Sequence, residues 1–597
     1  MRGQALDPRG TLRRARKLAA ALACAAAICA AGAVPASAAV RSGPAKSASW
    51  TGYHGGPAAT GAVPGIRSVI TTARAWTSPT LDGQIYGEPL VFGQRVYVAT
   101  EDDTVYALSA ASGTVEWSAH LGRPVPAGSL PCGDITPTVG ITGTPVIDPA
   151  RSEIFVVADE LVQGKPGHYL VGLSTASGRR ELAQPVDPPG QDPAAILQRT
   201  GLTLDDGRVV FGFGGNYGDC GTYRGRLMAV PEAGGKPEIF TVDAAPGDSQ
   251  GAIWMGGAAP AVDSHGDIWV STGNGSVRTD GHPYDDSDGL LELSPSLRLL
   301  QYFAPRAWPS DNAADLDMST EPVLLPDGQV IVAKKGGTVY LLNGEHLGGI
   351  GGQQAALRSA CSSDIDGGGA RTGMTVYLPC LSGIVAVRAR RSPPALWLLW
   401  ASRAGGGPPI LAAGLVWTIG QNGTLYGLDP ATGAIRQQVG IGVPANHFPT
   451  PSVTDGLLLA ACADNVIAFS APATDQARPD RQAGPRSGAA SQSACAYSPP
   501  GLPAPRRILD LVALACLLLA AALGWMFLTR RRGLTSRAAT AGTNSALPAW
   551  PRSARIFVLP PVLSLRRFAA DCRRVAVRAP AVDGRSLART YRADRAG

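Results

Sequence analysis

A short unit recurs along this chain, and it restricts the fold more than any other feature. Its clearest copy runs through Gly87–Thr100, Thr104–Ser109 and Ala111–Trp117. It reads as strand, Gly turn, strand, short turn, strand, small-x-Gly turn, and a last strand carrying Trp117. Apolar residues alternate within each strand, as half-buried strands require. The unit returns at Gly143–Asp148 with Tyr169–Leu173, at Gly201–Val242, and at Ala259–Asp263 with Ile268–Ser271. It returns again at Glu321–Leu325 with Val339–Asn343, at Gly373–Leu378 with Ile384–Val387, and at Gly414–Trp417 with Leu425–Gly433. An eighth copy, Thr450–Ser470, lacks its outer strand, and Ser68–Ser78 with Trp76 can supply it. Four short antiparallel strands per unit make a propeller blade. The sequence therefore predicts an all-β, eight-bladed β-propeller of four-stranded antiparallel blades over residues 66–472, its ring closed by an N-terminal strand that removes an open edge. The composition agrees, with 74 Gly, 49 Pro and only 17% charged residues.

The two ends read as membrane signals. Arg13, Arg14, Arg16 and Lys17 precede an apolar run from Leu18 to Val34, and Ala36-Ser37-Ala38-Ala39 satisfies the small-x-small rule. Residues 1–39 are read as a cleaved signal peptide and 40–65 as an N-terminal linker. A second apolar run, Ile508–Leu528, is long enough as a helix at ~1.5 Å per residue to cross a ~30 Å hydrocarbon core. Arg530, Arg531 and Arg532 follow it, a stop-transfer pattern that puts the C-terminus in the cytoplasm. Residues 473–507, rich in Ala, Pro, Gly, Ser, Gln and Arg, are read as an extended stalk, and 529–597 as a basic cytoplasmic tail. The expected location is thus the cell membrane, single-pass, with the propeller outside. The formal charge of +7 is no sign of nucleic-acid binding, because the tail alone holds fifteen Arg against three Asp. Both ends are basic and the body between them is net acidic.

The units resemble the PQQ-type propeller repeat, with its Val-Tyr-Ala-Leu-x-x-x-x-Gly-x-x-x-Trp signature. The match is closest in Thr104–Trp117 and Leu425–Gly433. That repeat occurs in quinoprotein dehydrogenases and in non-enzymatic scaffolding propellers, so it implies a fold and leaves function open.

Six cysteines fall in the part expected outside, where disulfides form. Several pairings are open. Cys132 with Cys220 is favoured because both lie in Gly-rich loops of early blades, and Cys361 with Cys380 because they flank one connection. Cys462 with Cys495 would then tie the last blade to the stalk.

The sequence carries no Gly-x-Ser-x-Gly elbow, no Walker loop and no His-Glu-x-x-His. Its few histidines, His54 and His447 among them, read as surface or turn residues. The resemblance to quinoproteins implies one constellation. Asn274, between Gly273 and Gly275, stands where a calcium-ligand Asn would. Asp315 and Asp317 stand in the region of the catalytic Asp, Lys335 where a quinone-contacting Lys would, and Asp219 near a ligand Glu. Asn274, Asp219 and Asp317 are the implied metal ligands, an oxygen set suited to Ca²⁺. Two departures weigh against this chemistry. No Cys-Cys pair is present, and Trp254, the nearest counterpart of the aromatic floor beneath the quinone, is read as out of register with Asp263. The stretch Tyr284-Asp285-Asp286-Ser287-Asp288 reads as a solvated acidic loop. The resulting expectation is a membrane-tethered, non-catalytic module without a cofactor that binds a protein or small ligand. The alternative is a quinoprotein-like oxidoreductase using PQQ and calcium.

The topology has a direct check. Protease added to intact protoplasts should digest the propeller and leave a tag after residue 597 untouched. Loss of the tag with the propeller intact would reverse the orientation.

Overall fold

The computed structural model describes residues 49–63, 69–454 and 456–470. Among these, eight antiparallel sheets of the blade type follow one another along the chain. The first blade is Leu90–Phe92, Arg95–Ala99, Thr104–Ser109 and Val115–His120. Blades 2 to 7 begin at Val146, Thr203, Ala261, Val323, Ala370 and Ile410. The eighth is Ser452–Thr454, Leu457–Cys462 and Asn465–Ser470, completed by Arg74–Thr77. Trp76 pairs with Ala468 in that last sheet, so the N-terminal strand closes the ring as the repeat count requires.

Burial follows the pleat. In blade 1 the third strand, Thr104–Ser109, is largely buried, whereas Val115–His120 alternates between exposed and half-buried residues. The outer strands carry the contact that orders the ring. Trp117 of blade 1 donates its indole N–H to the Thr175 carbonyl of blade 2 at 3.1 Å, and its ring lies against Gly178. Trp76 of blade 8 does the same to Ala110 at 2.9 Å and Gly113 of blade 1. Trp400 of blade 6 does so to Pro430 at 3.0 Å and Gly433 of blade 7. All three glycines have φ near +70°. Only Gly combines that backbone with a bare face for the indole. Where Trp is missing, an amide replaces it: Gln301 of blade 4 donates to the Gly344 carbonyl of blade 5 at 2.7 Å.

Residues 50–63, part of the segment read as a linker, cross the channel. Their backbone bonds in turn to the first strands of blades 1, 2, 4, 6 and 7, through Val91, Ile147, Val262, Arg371 and Leu411. His54, expected at the surface, is 1% exposed in this plug. Burial lowers its imidazole to about pKa 3. Its Nδ1 lies 3.4 Å from Glu321, and its backbone N–H donates to Glu88 at 2.8 Å.

Cys132 pairs with Cys220, and Cys361 with Cys380, with Cα separations of 5.9 and 6.1 Å. Cys462 is buried; its proposed partner Cys495 lies outside the described residues. No helix among the described residues is long and apolar enough to cross a membrane. The signal peptide, stalk, span at 508–528 and tail lie outside them.

The docking contact predicts unequal costs for equal changes. A methyl group at Gly93, where φ is +64°, meets nothing within 4 Å, so Gly93→Ala should cost only the left-handed penalty of roughly 1–2 kcal/mol. At Gly178 the methyl would fall 2.6 Å from the Trp117 ring. Gly178→Ala should cost clearly more and approach Trp117→Ala, at about 3–5 kcal/mol. Urea denaturation of the three variants distinguishes these values.

Candidate functional site

The hairpins after each blade's second strand and the connections between blades open on one face of the ring. Asn274 follows the strand Ile268–Ser271 of blade 4, and Lys335 follows Gln329–Lys334 of blade 5. Asp315 and Asp317 lie in the blade 4–5 connection, just after a short helix, Trp308–Ala313. Asp219 lies on the hairpin of blade 3 after Arg208–Gly215, and Trp254 on the blade 3–4 connection. All six line one cavity of about 600 Å³. The structure therefore brings every implied site residue to one place.

The contacts are specific. Asp317 accepts from the Asn274 backbone N–H at 2.8 Å and from the Trp254 indole N–H at 3.1 Å. Lys335 Nζ bridges Asp317 at 2.8 Å and Asp315 at 3.0 Å. The Asn274 amide N–H₂ donates to Asp315 at 2.6 Å, while its buried Oδ1 has no partner. Asp219 accepts from the Tyr223 hydroxyl at 2.6 Å. Burial raises Asp317, and Lys335 offsets part of that rise. Burial alone would lower the Lys335 ammonium, but Asp317 and Asp315 outweigh it and hold it protonated. Asp366, on another wall, is pushed by burial to about 7.

Trp254 corrects the sequence reading. It is not displaced from the site: Lys335 Nζ sits 5.3 Å from its ring centroid, and Phe448 packs 5.8 Å from it on another side. The turn after it explains the error. Met255–Gly257 carries positive φ at Gly256 and Gly257, with Gly256 pressed against Gly367 and Gly257 against Arg199. Such approaches join connections distant in sequence, and no strand periodicity encodes them. Arg199 was also missed. Its guanidinium bonds Asn446 at 2.8 Å and lies 5.7 Å from the Phe448 ring. A single Arg in a connection carries no sequence signal of its own.

The Cys132–Cys220 bridge stands at the rim. Cys132 lines a smaller adjoining pocket of about 190 Å³, which shares Asp134, Ile135, Leu197, Asn216 and Tyr217 with the main cavity. The bridge thus ties the blade 1–2 connection to the blade 3 hairpin that bears Asp219.

A family profile described as outer membrane protein assembly factor BamB matches residues 70–269. Polyvinylalcohol dehydrogenase of Sphingopyxis sp. (strain 113P3) is 25% identical over 365 residues, which is 53% of this chain and 51% of that protein. The chain spans about half the length of the curated relatives it matches. Quinohemoprotein alcohol dehydrogenase from Comamonas testosteroni superposes with a TM-score of 0.55 at 14% identity, covering 74% of this chain and 83% of that one. A europium-containing methanol dehydrogenase gives 0.53 at 12% identity, over 71% and 98%. The structural likenesses establish the fold. Over residues 70–269 the chain matches a PQQ-repeat propeller family model, as its repeats led us to expect.

The Lys335 pair predicts a pH-dependent cost. Lys335→Met leaves Asp317 buried without its counter-charge, and breaking a buried pair costs about 3–5 kcal/mol. Removing Lys335 raises the Asp317 pKa further, so the loss applies above the unfolded Asp value of about 4 and vanishes below it. Thermal melts of the variant and parent at pH 7.5 and pH 3.5 give the comparison.

Proposed function

We propose that the cavity is the cofactor and substrate site of a quinone-dependent alcohol oxidoreductase. One observation carries the proposal: the Trp254 indole, Lys335, Asp317 and Asn274 are in mutual contact at one wall of the cavity. It removes one of the two grounds on which the sequence favoured a non-catalytic module.

The residues fit PQQ and a divalent cation. The unpartnered Asn274 Oδ1 is an oxygen ligand in want of a cation or donor, and Asp317, Asp315 and Asp219 add carboxylates nearby. Trp254 offers a flat aromatic face to a planar cofactor. Lys335 and Arg199 place positive charge where cofactor carboxylates would need it. When bound, PQQ supplies a two-electron acceptor, so that an alcohol leaves as its carbonyl product. Asp317, buried and raised in pKa, would take the hydroxyl proton as general base. Leu197 and Ile135 add apolar lining to the cavity. The substrate class, an alcohol, is taken from the name of the Sphingopyxis relative.

A second reading, the binding or scaffolding module, is favoured by a different feature. Trp397, Leu398 and Leu399 are each about 40% exposed on the outer strand of blade 6, an apolar run of the kind that protein partners cover. In either case we propose the topology above, with a propeller outside the membrane held by residues 508–528.

Reconstitution decides between them. The purified chain, supplied with PQQ and Ca²⁺, should retain the quinone after gel filtration and reduce a dye with alcohols. Asp317→Ala should abolish turnover, and Trp254→Ala should weaken PQQ retention at least tenfold. No retained PQQ and no turnover would leave the binding reading.

A further inference from the structure

The acidic stretch 284–288 is not solvated. Asp285 is 9% exposed, Ser287 0% and Asp288 1%. The stretch lies on the long hairpin of blade 4, between Ile268–Ser271 and Leu290–Leu293. There it meets Asp243, just beyond the outer strand Glu238–Thr241 of blade 3, whose backbone N–H donates to the Asp285 carbonyl at 3.0 Å. Asp243 is fully buried, and its carboxylate has no side-chain donor among the described residues; the Ser276 backbone N–H lies near it without closing a well-formed bond. Asp285 accepts from the Ser287 hydroxyl through Oδ1, while its buried Oδ2 is also unpartnered. That oxygen points at Gly275, where a methyl group would fall 2.9 Å from it. Asp248 and Asp286 add their fields to Asp243. None of these four carboxylates pairs with a basic group among the described residues.

Buried anionic oxygens without donors are costly, and native proteins satisfy nearly all of them. A proton or a cation would do so here. A single proton still leaves these two adjacent buried carboxylates short of donors. The set is oxygen only, two carboxylates and a serine hydroxyl, which suits a hard cation and tolerates the irregular geometry of crossing loops. We propose that Asp243 and Asp285 form a divalent-cation site, able to take Ca²⁺, that clamps the blade 3–4 connection to the blade 4 hairpin. This site is separate from the cavity. Residues 274–276 run between them, with the Asn274 side chain in the cavity and its carbonyl accepting from Gly251 N–H at 2.6 Å. The proposal does not depend on the oxidoreductase reading.

The test uses the full chain stripped with chelator and carrying Asn274→Ala, which removes one oxygen ligand from the cavity. Adding CaCl₂ should raise the melting temperature by several degrees. Asp243→Asn or Asp285→Asn in that background should abolish the rise while near-ultraviolet circular dichroism stays that of the parent. If either variant fails to fold, terbium titration of the Asn274→Ala chain decides, with saturable luminescence displaced by Ca²⁺ expected. No Ca²⁺ shift and no terbium binding in the Asn274→Ala chain would overturn the site, as would a shift that survives Asp243→Asn.

Discussion

The ring depends on one contact, an outer-strand side chain of one blade seated on the turn of the next. A blade is a small twisted sheet with two apolar faces, and sheets can slide over one another when only apolar surfaces meet. The indole of Trp117 removes that freedom. It covers Gly178 with its ring and fixes its N–H on the Thr175 carbonyl. A buried Trp side chain of about 200 Å² contributes on the order of 5 kcal/mol by area at ~25 cal/mol per Å², and the directional bond sets the angle between blades. Tyr97 sends its hydroxyl to the same Thr175 carbonyl at 3.0 Å. Tyr377 and Trp400 repeat the arrangement on Pro430. Trp76 applies the same device at the closure, so the N-terminal strand is both paired to blade 8 and docked on blade 1.

A rigid ring allows the loops on one face to be irregular. The cavity is assembled from these loops, and its polar groups are held by structure behind them. Asn312, on the short helix Trp308–Ala313, accepts from the Gly275 N–H at 2.8 Å and donates to the Val277 carbonyl at 2.7 Å, which fixes the loop bearing Asn274. Below, the plug seals the channel with its own polar cluster. Tyr53 accepts from the Gly368 N–H at 3.0 Å, two residues from Asp366 in the cavity wall. A site closed on one side and open on the other lowers the local dielectric around Asp317 and Lys335 without barring a ligand.

Much of this was legible in the chain. The period-2 strands, the small-x-Gly turns and the Trp that follows them specify blade, number and closure, because local backbone geometry and pleat are short-range properties. Asn274, Asp315, Asp317, Lys335 and Asp219 were singled out by the resemblance to quinoproteins, position by position. Two disulfides followed from the loops that carry them.

Residues 50–63 show the limit from one direction: their sequence has no strand pattern, yet their backbone bonds to five blades, because the partners come from the ring and not from neighbours in the chain. Trp254 and Arg199 show it from the other. They meet in the cavity from separate connections, beside close approaches of Gly256 to Gly367 and of Gly257 to Arg199. The buried pair Asp243 and Asp285 likewise exists only where two blades' loops cross. By itself the sequence determined the repeating blade and the closure of the ring, both governed by local propensity and periodicity. The tertiary structure alone decided which loops meet, which carboxylates are buried and which aromatic face enters the cavity, because those depend on the angle at which each blade docks on the next.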